Sequence, residues 1–194
     1  MSDQAMAMAR PPPRRRTIAA NGVVAMVVFV LAETMFFAGL VSAFGIAKAA
    51  AFVDWPPPGQ PRLPVAETAL NTLALLASGL MLALAWRARE DAPRLRRRLL
   101  GAIILGTFFV LFQGVEWVAL LRQGLTVTTS THAGFFYIVV GAHAAHAIGA
   151  LIGLGYVYRR ALRERMEISE LATVQVLWYF VVALWPILYV RVYL

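Results

Sequence analysis

NGVVAMVVFVLAETMFFAGLVSAFGIA, residues 21–47, is an apolar run with one ionisable side chain, Glu33, in its middle. It is long enough to cross a bilayer, for which about 20 apolar residues suffice. It is too long for the apolar core of a signal peptide, and no clear cleavage site follows it. Four further runs of the same kind lie near residues 66–86, 99–121, 133–158 and 171–190. The chain has 194 residues, of which 60% are hydrophobic and 14% charged, with a mean hydropathy of +0.69. A soluble domain has about 25% charged residues. The fold class expected is therefore an all-α bundle of five membrane-spanning helices, residues 21–194, preceded by a basic, flexible tail at residues 1–20.

The basic residues orient the bundle. Fourteen of the eighteen fall in three clusters: Arg10, Arg14, Arg15 and Arg16; Arg87, Arg89, Arg94, Arg96, Arg97 and Arg98; Arg159, Arg160, Arg163 and Arg165. Five alternating spans put all three on one side. Excess Lys and Arg marks the cytoplasmic side, so the N-terminus is expected in the cytoplasm and the C-terminus in the periplasm. Lys48, Arg62, Arg122 and Arg191 fall on the other side. These clusters read as headgroup-facing surface. Nucleic-acid binding needs a basic patch on a folded module, and the connections leave no room for one. With no cysteine, disulfides and thiolate metal sites are excluded. The loop DWPPPGQPRLP, residues 54–64, reads as extended, because proline fixes φ and lacks a donor. Trp55, Trp86 and Trp117 fall near span ends, where indoles anchor at headgroups.

Ionisable groups inside such spans are costly and mark functional positions. They are Glu33, Glu116 in FFVLFQGVEW (108–117), and His143 and His146 in VVGAHAAHAIGAL (139–151). Gln113 precedes Glu116 by one turn on the same face. At ~1.5 Å per residue, Glu33 lies roughly 17 Å from one end of its span, and His143 and His146 roughly 15 and 20 Å from the opposite end of theirs. The shared depth predicts a Glu33–histidine contact. Glu116, ~8 Å from the outer end, is expected to meet the headgroup boundary or a group near it. Gly141, Ala145, Gly149 and Gly153 recur every fourth residue, a pattern that lets helices approach closely in lipid. From the residues alone, three readings stand: a structural polar knot, a proton-handling pair, or a metal site on Glu33, His143 and His146.

Four motifs, in order, carry a resemblance. LAETMFFAGLVSAF (31–44), WPPPGQPRLPVAETALNTLALLASG (55–79), FFVLFQGVEW and FFYIVVGAHAAHAIGALIG (135–153) resemble successive signatures of haem-copper oxidase subunit III, in its short five-helix bacterial form. The last span departs from the pattern: Tyr179 stands where the family commonly has His, and Val182 where it has Asp. The resemblance implies an accessory subunit of a respiratory cytochrome c oxidase in the bacterial inner membrane. It implies no cofactor on this chain, with haem and copper on partner subunits. Subunits I and II would be its partners in aerobic electron transport and proton translocation. It also implies bound phospholipid, for which Arg62, Arg122, Trp55 and Trp117 are the candidate contacts. Glu33, Glu116, Gln113, His143 and His146 are then the buried polar set. The alternatives are a quinol oxidase subunit, a nitric-oxide-reductase-associated homologue, and a standalone membrane metalloenzyme.

Overall fold

The computed structural model describes residues 18–51 and 59–194. Trp55, Arg10, Arg14, Arg15 and Arg16 lie outside the described residues. Five helices account for nearly everything else: α1 Ile18–Ala49, α2 Val65–Arg87, α3 Ala92–Arg122, α4 Thr131–Leu162 and α5 Ile168–Leu188, the last running into a wider π-helical turn, Tyr189–Tyr193. All five are long and apolar enough to cross a membrane, and no strand occurs among the described residues.

The first four helices contain their expected spans and extend beyond them, and α5 does so together with its π turn. The arginines explain why. Arg94, Arg96, Arg97 and Arg98, read from sequence as loop, form the first turns of α3. Arg is a good helix former, and the start signal comes earlier: Asp91 Oδ1 accepts from the Arg94 amide at 3.0 Å, with Pro93 in the first turn. The α2–α3 connection shrinks to a tight turn at residues 88–91. The helix starts at α4 and α5 are also capped, by Ser130 accepting from the Ala133 amide and by a Glu167–Glu170 capping box. Gly124, at φ 88°, ends α3. Its left-handed backbone lets the Leu125 amide reach back to the Leu120 carbonyl at 3.0 Å, closing a Schellman turn over two buried leucines.

α5 is the hub. It packs against α1, α2 and α4, while α3 closes the bundle between α2 and α4. Trp178 and Trp185 on α5 are fully buried. α1 is the outlier. Its inward stripe is narrow: among its described side chains only Phe37 and Phe44 are fully buried, and most of the described surface remains uncovered. Pro186 interrupts α5 near its end. A proline supplies no amide hydrogen, and the backbone beyond it opens into the π turn. That turn carries Tyr189 and Tyr193 back toward α2 and α3.

Candidate functional site

Glu33 lies on the same stripe of α1 as Phe37 and Phe44, at helical spacing, so it points into the bundle. Its Oε2 lies 3.2 Å from His146 Nε2 on α4; the two side chains are 21% and 17% exposed. The other imidazole nitrogen, Nδ1, lies 2.8 Å from the Ala142 carbonyl. A carbonyl only accepts, so Nδ1 carries a hydrogen. The contact brings two ionisable groups, a carboxyl and an imidazole, side by side across two helices. Phe29, Phe37 and Phe180 surround the ring at centroid distances of 6.0, 5.5 and 6.1 Å. The expected glutamate–histidine contact is present, and it selects His146.

His143, three residues earlier, turns elsewhere. It is 1% exposed, and its Nε2 lies 3.0 Å from the Val181 carbonyl of α5. Because that carbonyl only accepts, Nε2–H donates. The ring packs against Trp185 and Phe109, with centroids at 4.9 and 6.2 Å. Glu33, His143 and His146 thus do not converge on one point. Among the described residues no group of three or more His, Asp or Glu is arranged to hold a metal ion. Helix rotation is the reason: residues three apart are offset by about 60°, enough to send one imidazole to α1 and the other to α5.

Glu116 is buried, 7% exposed, among polar groups of α2, α3 and the π turn. Gln113 Nε2 donates to its Oε2 at 2.7 Å and to Tyr193 Oη at 3.0 Å. Thr68 Oγ1 of α2 lies 3.0 and 3.2 Å from the two carboxylate oxygens and 2.7 Å from the Pro64 carbonyl. The first turn of α2 and the π turn cover the carboxyl. Below it, Trp185 Nε1 donates to Thr72 Oγ1 at 2.8 Å, Asn71 Nδ2 to the Phe109 carbonyl at 3.1 Å, and Ser78 Oγ to the Ala102 carbonyl at 2.7 Å. Sequence reading identified the Asn-Thr…Ser-Gly motif but not these contacts, nor Thr68 and Tyr193. The signal was there: Thr68, Asn71, Thr72 and Ser78 form one polar stripe on an otherwise apolar helix.

The remaining candidates sit as follows. Arg62 and Arg122 are exposed, and Trp117 is half-buried, edge-on to Phe136 and Tyr137. Tyr179 Oη accepts from Gln175 Nε2 at 2.6 Å, and Val182 packs beside Gly79 of α2. The small-residue stripe of α4 divides. A Cβ at Gly141 would stand 3.4 Å from Trp117, and one at Gly153 3.0 Å from Val174. Ala145 is exposed, and Gly149 has open space. A four-residue repeat drifts by about 40° per step, so its members cannot all face one neighbour. Gly106 is the tightest glycine, and Gly79, like Gly153, has a valine 3.0 Å from where its Cβ would stand. Gly149→Leu is accordingly expected to leave the fold of the isolated chain intact. Loss of a purified complex in that variant, seen by size-exclusion chromatography, would place a partner on this face.

Comparison with known proteins gives one consistent answer. The family model described as cytochrome c oxidase subunit III matches residues 15–194. The chain is 32% identical over 176 residues to a probable cytochrome c oxidase subunit 3 of Mycobacterium leprae, covering 88% of this chain and 86% of that protein. It is 31% identical to the corresponding Nocardia farcinica protein over the same shares. It is 30% identical to the cytochrome c oxidase subunit 3 of Lemur catta, covering 87% of this chain and 64% of that protein.

Proposed function

This chain belongs to the cytochrome c oxidase subunit III family, and from that premise we propose that it is the cofactor-free accessory subunit of a bacterial respiratory oxidase of the cytochrome c type. Subunit I is its main contact and subunit II a further partner, and those two carry the haem and copper. The chain lies in the inner membrane with its arginine-rich end in the cytoplasm. It binds phospholipid and sustains proton uptake and stability of subunit I during turnover.

The observation that carries this reading is the Glu33–His146 pair. The pair is neither sealed in the core nor open to solvent, and it sets a carboxyl oxygen 3.2 Å from an imidazole nitrogen of a neighbouring helix. Two ionisable side chains set together and walled by phenylalanines suit a proton reservoir better than a catalytic centre. The glutamine- and threonine-tied Glu116 has its acceptor oxygens largely occupied, and it serves to lock α2, α3 and the π turn in register.

Glu33→Ala tests the reading. In the purified complex, the initial rate of oxygen reduction should stay near the wild-type value. The number of turnovers sustained, or the retention of this subunit, should fall. An oxygen electrode gives both the initial rate and its decay. Complete and immediate loss of activity in an assembled complex would count against an accessory role.

A further inference from the structure

Four basic residues lie at the end of the bundle away from the arginine-rich turns, and three of them converge. Lys48 stands at the end of α1, Arg62 precedes α2, and Arg191 belongs to the π turn. A hollow of about 400 Å³ between α1 and the π turn is lined by Lys48 and Arg191, with Val41, Ser42, Gly45 and Val190 among its walls. A second, of about 170 Å³, is lined by Lys48 and Arg62, with Leu63, Val65 and Val192. Lys48 lines both, so the hollows adjoin at its side chain. All three cations are exposed, and none is ion-paired to a carboxylate among the described residues. The opposite end of the bundle differs. There Arg89, Arg94, Arg96 and Arg160 each have a carboxylate within 4.0 Å.

Like charges gathered without a counter-ion repel one another, and apolar walls weaken the screening that water would give. The arrangement suits an anion. Its source follows from where the hollows lie. They sit at the end of α1, the helix whose described surface is least covered, so a chain packed along α1 reaches them directly. Gly45 has no atom within 4 Å of where a Cβ would stand, and Ser42, one turn away, is exposed. Small residues let a neighbouring backbone come close. A phospholipid would bring one phosphate to one hollow, whereas here two hollows share Lys48 and each has its own arginine. A guanidinium fork matches a carboxylate as well as a phosphate. We propose that Lys48, Arg62 and Arg191 form a docking site for a carboxylate-bearing segment of a neighbouring subunit that packs along α1. This docking site presupposes that the chain works within an oxidase complex, as proposed above.

Lys48 is the only lysine of the chain, the other 17 basic residues being arginine, so its amine can be addressed selectively. In the purified complex, a carbodiimide should join Lys48 Nζ to an Asp or Glu of another subunit as an amide, with loss of one water. Peptide mass spectrometry locates the cross-link. Lys48→Arg keeps the charge but has no amine to couple, so the cross-link should vanish and the complex survive. Lys48→Glu combined with Arg191→Glu should lower the share of this subunit retained through purification about tenfold, the scale of several exposed ion pairs reversed together. Where that double variant fails to fold, the wild-type cross-link decides. An amide from Lys48 to Asp54 or Glu67 of its own chain overturns the proposal, because the cations would then be neutralised internally. Retention unchanged in a folded double variant overturns it too. So does a phospholipid, seen by native mass spectrometry, that the double variant loses while Lys48 forms no cross-link; that result assigns the hollows to lipid. A complex that keeps its haem-bearing subunit but yields no Lys48 amide sinks the docking site alone. Purification of this chain with no oxidase core sinks the proposed function and the docking site together.

Discussion

Trp185→Ala is expected to lower the stability of this chain by about 3 kcal/mol, an estimate built from a cavity term and one hydrogen bond. Trp185 is fully buried on α5, with ring centroids of His143, Phe109 and Tyr193 at 4.9, 5.0 and 6.1 Å. It is also the donor that ties α5 to Thr72 of α2. In lipid the usual transfer term is missing, because an unfolded tryptophan would already be out of water. What remains is the void and the lost bond. A cavity on the order of 100 Å³ at ~24 cal/mol per Å³ costs about 2.4 kcal/mol. An interhelical hydrogen bond in a membrane protein adds ~0.6 kcal/mol. The midpoint of thermal or detergent-induced unfolding of the purified protein reads the effect. An unchanged midpoint would mean that α5 is not the hub described above.

Gly106→Ala is the second large effect, and two forces oppose each other there. Helix propensity favours alanine over glycine by ~0.8–1.0 kcal/mol. Packing opposes it: a Cβ at Gly106 would stand 2.6 Å from two atoms of the Trp178 ring and 2.9 Å from Leu151. The indole is rigid and fully buried, so it cannot simply swing aside. Overpacking of this kind costs typically 1–3 kcal/mol, occasionally more. We therefore expect net destabilisation, visible as a lower unfolding midpoint or reduced yield of folded protein. Gly149→Ala, on a helix with open space around the site, is the matched control and should be neutral or slightly stabilising. A Gly106→Ala midpoint as high as that control's would show that α3 and α5 are further apart than the structure has them.

These two residues show where sequence reading stops. Neither stood out in the pattern. Gly106 lies in an unremarked stretch of α3, while the conspicuous four-residue stripe of α4 turned out to have open space at Gly149. What makes a glycine indispensable is the particular side chain opposite it, and that depends on which helices are neighbours. The polar residues were more legible. Depth along two helices predicted that Glu33 would meet a histidine, because rise per residue is fixed and both spans must cover the same thickness. Helix spacing paired Gln113 with Glu116. Depth could not choose between His143 and His146, since rotation of α4 about its own axis decides that. Nor could it bring Thr68 or Tyr193 to Glu116, because those contacts cross from one helix to another.

The amino-acid order by itself settled the number of long apolar helices and most of their limits to within a few residues, the start of α3 excepted. It also settled which side chains would be expensive to bury. Each of those follows from local chemistry: hydropathy, helix start and stop signals, and the cost of an ion in hydrocarbon. Only the tertiary structure decided which helix sits at the centre, which imidazole faces the carboxyl of α1, and that the chain beyond Pro186 folds back to cover Glu116. Those outcomes depend on the relative rotation and order of helices around the bundle. In an apolar medium that order is set by close side-chain fit and a few interhelical hydrogen bonds, which no single stretch of sequence encodes.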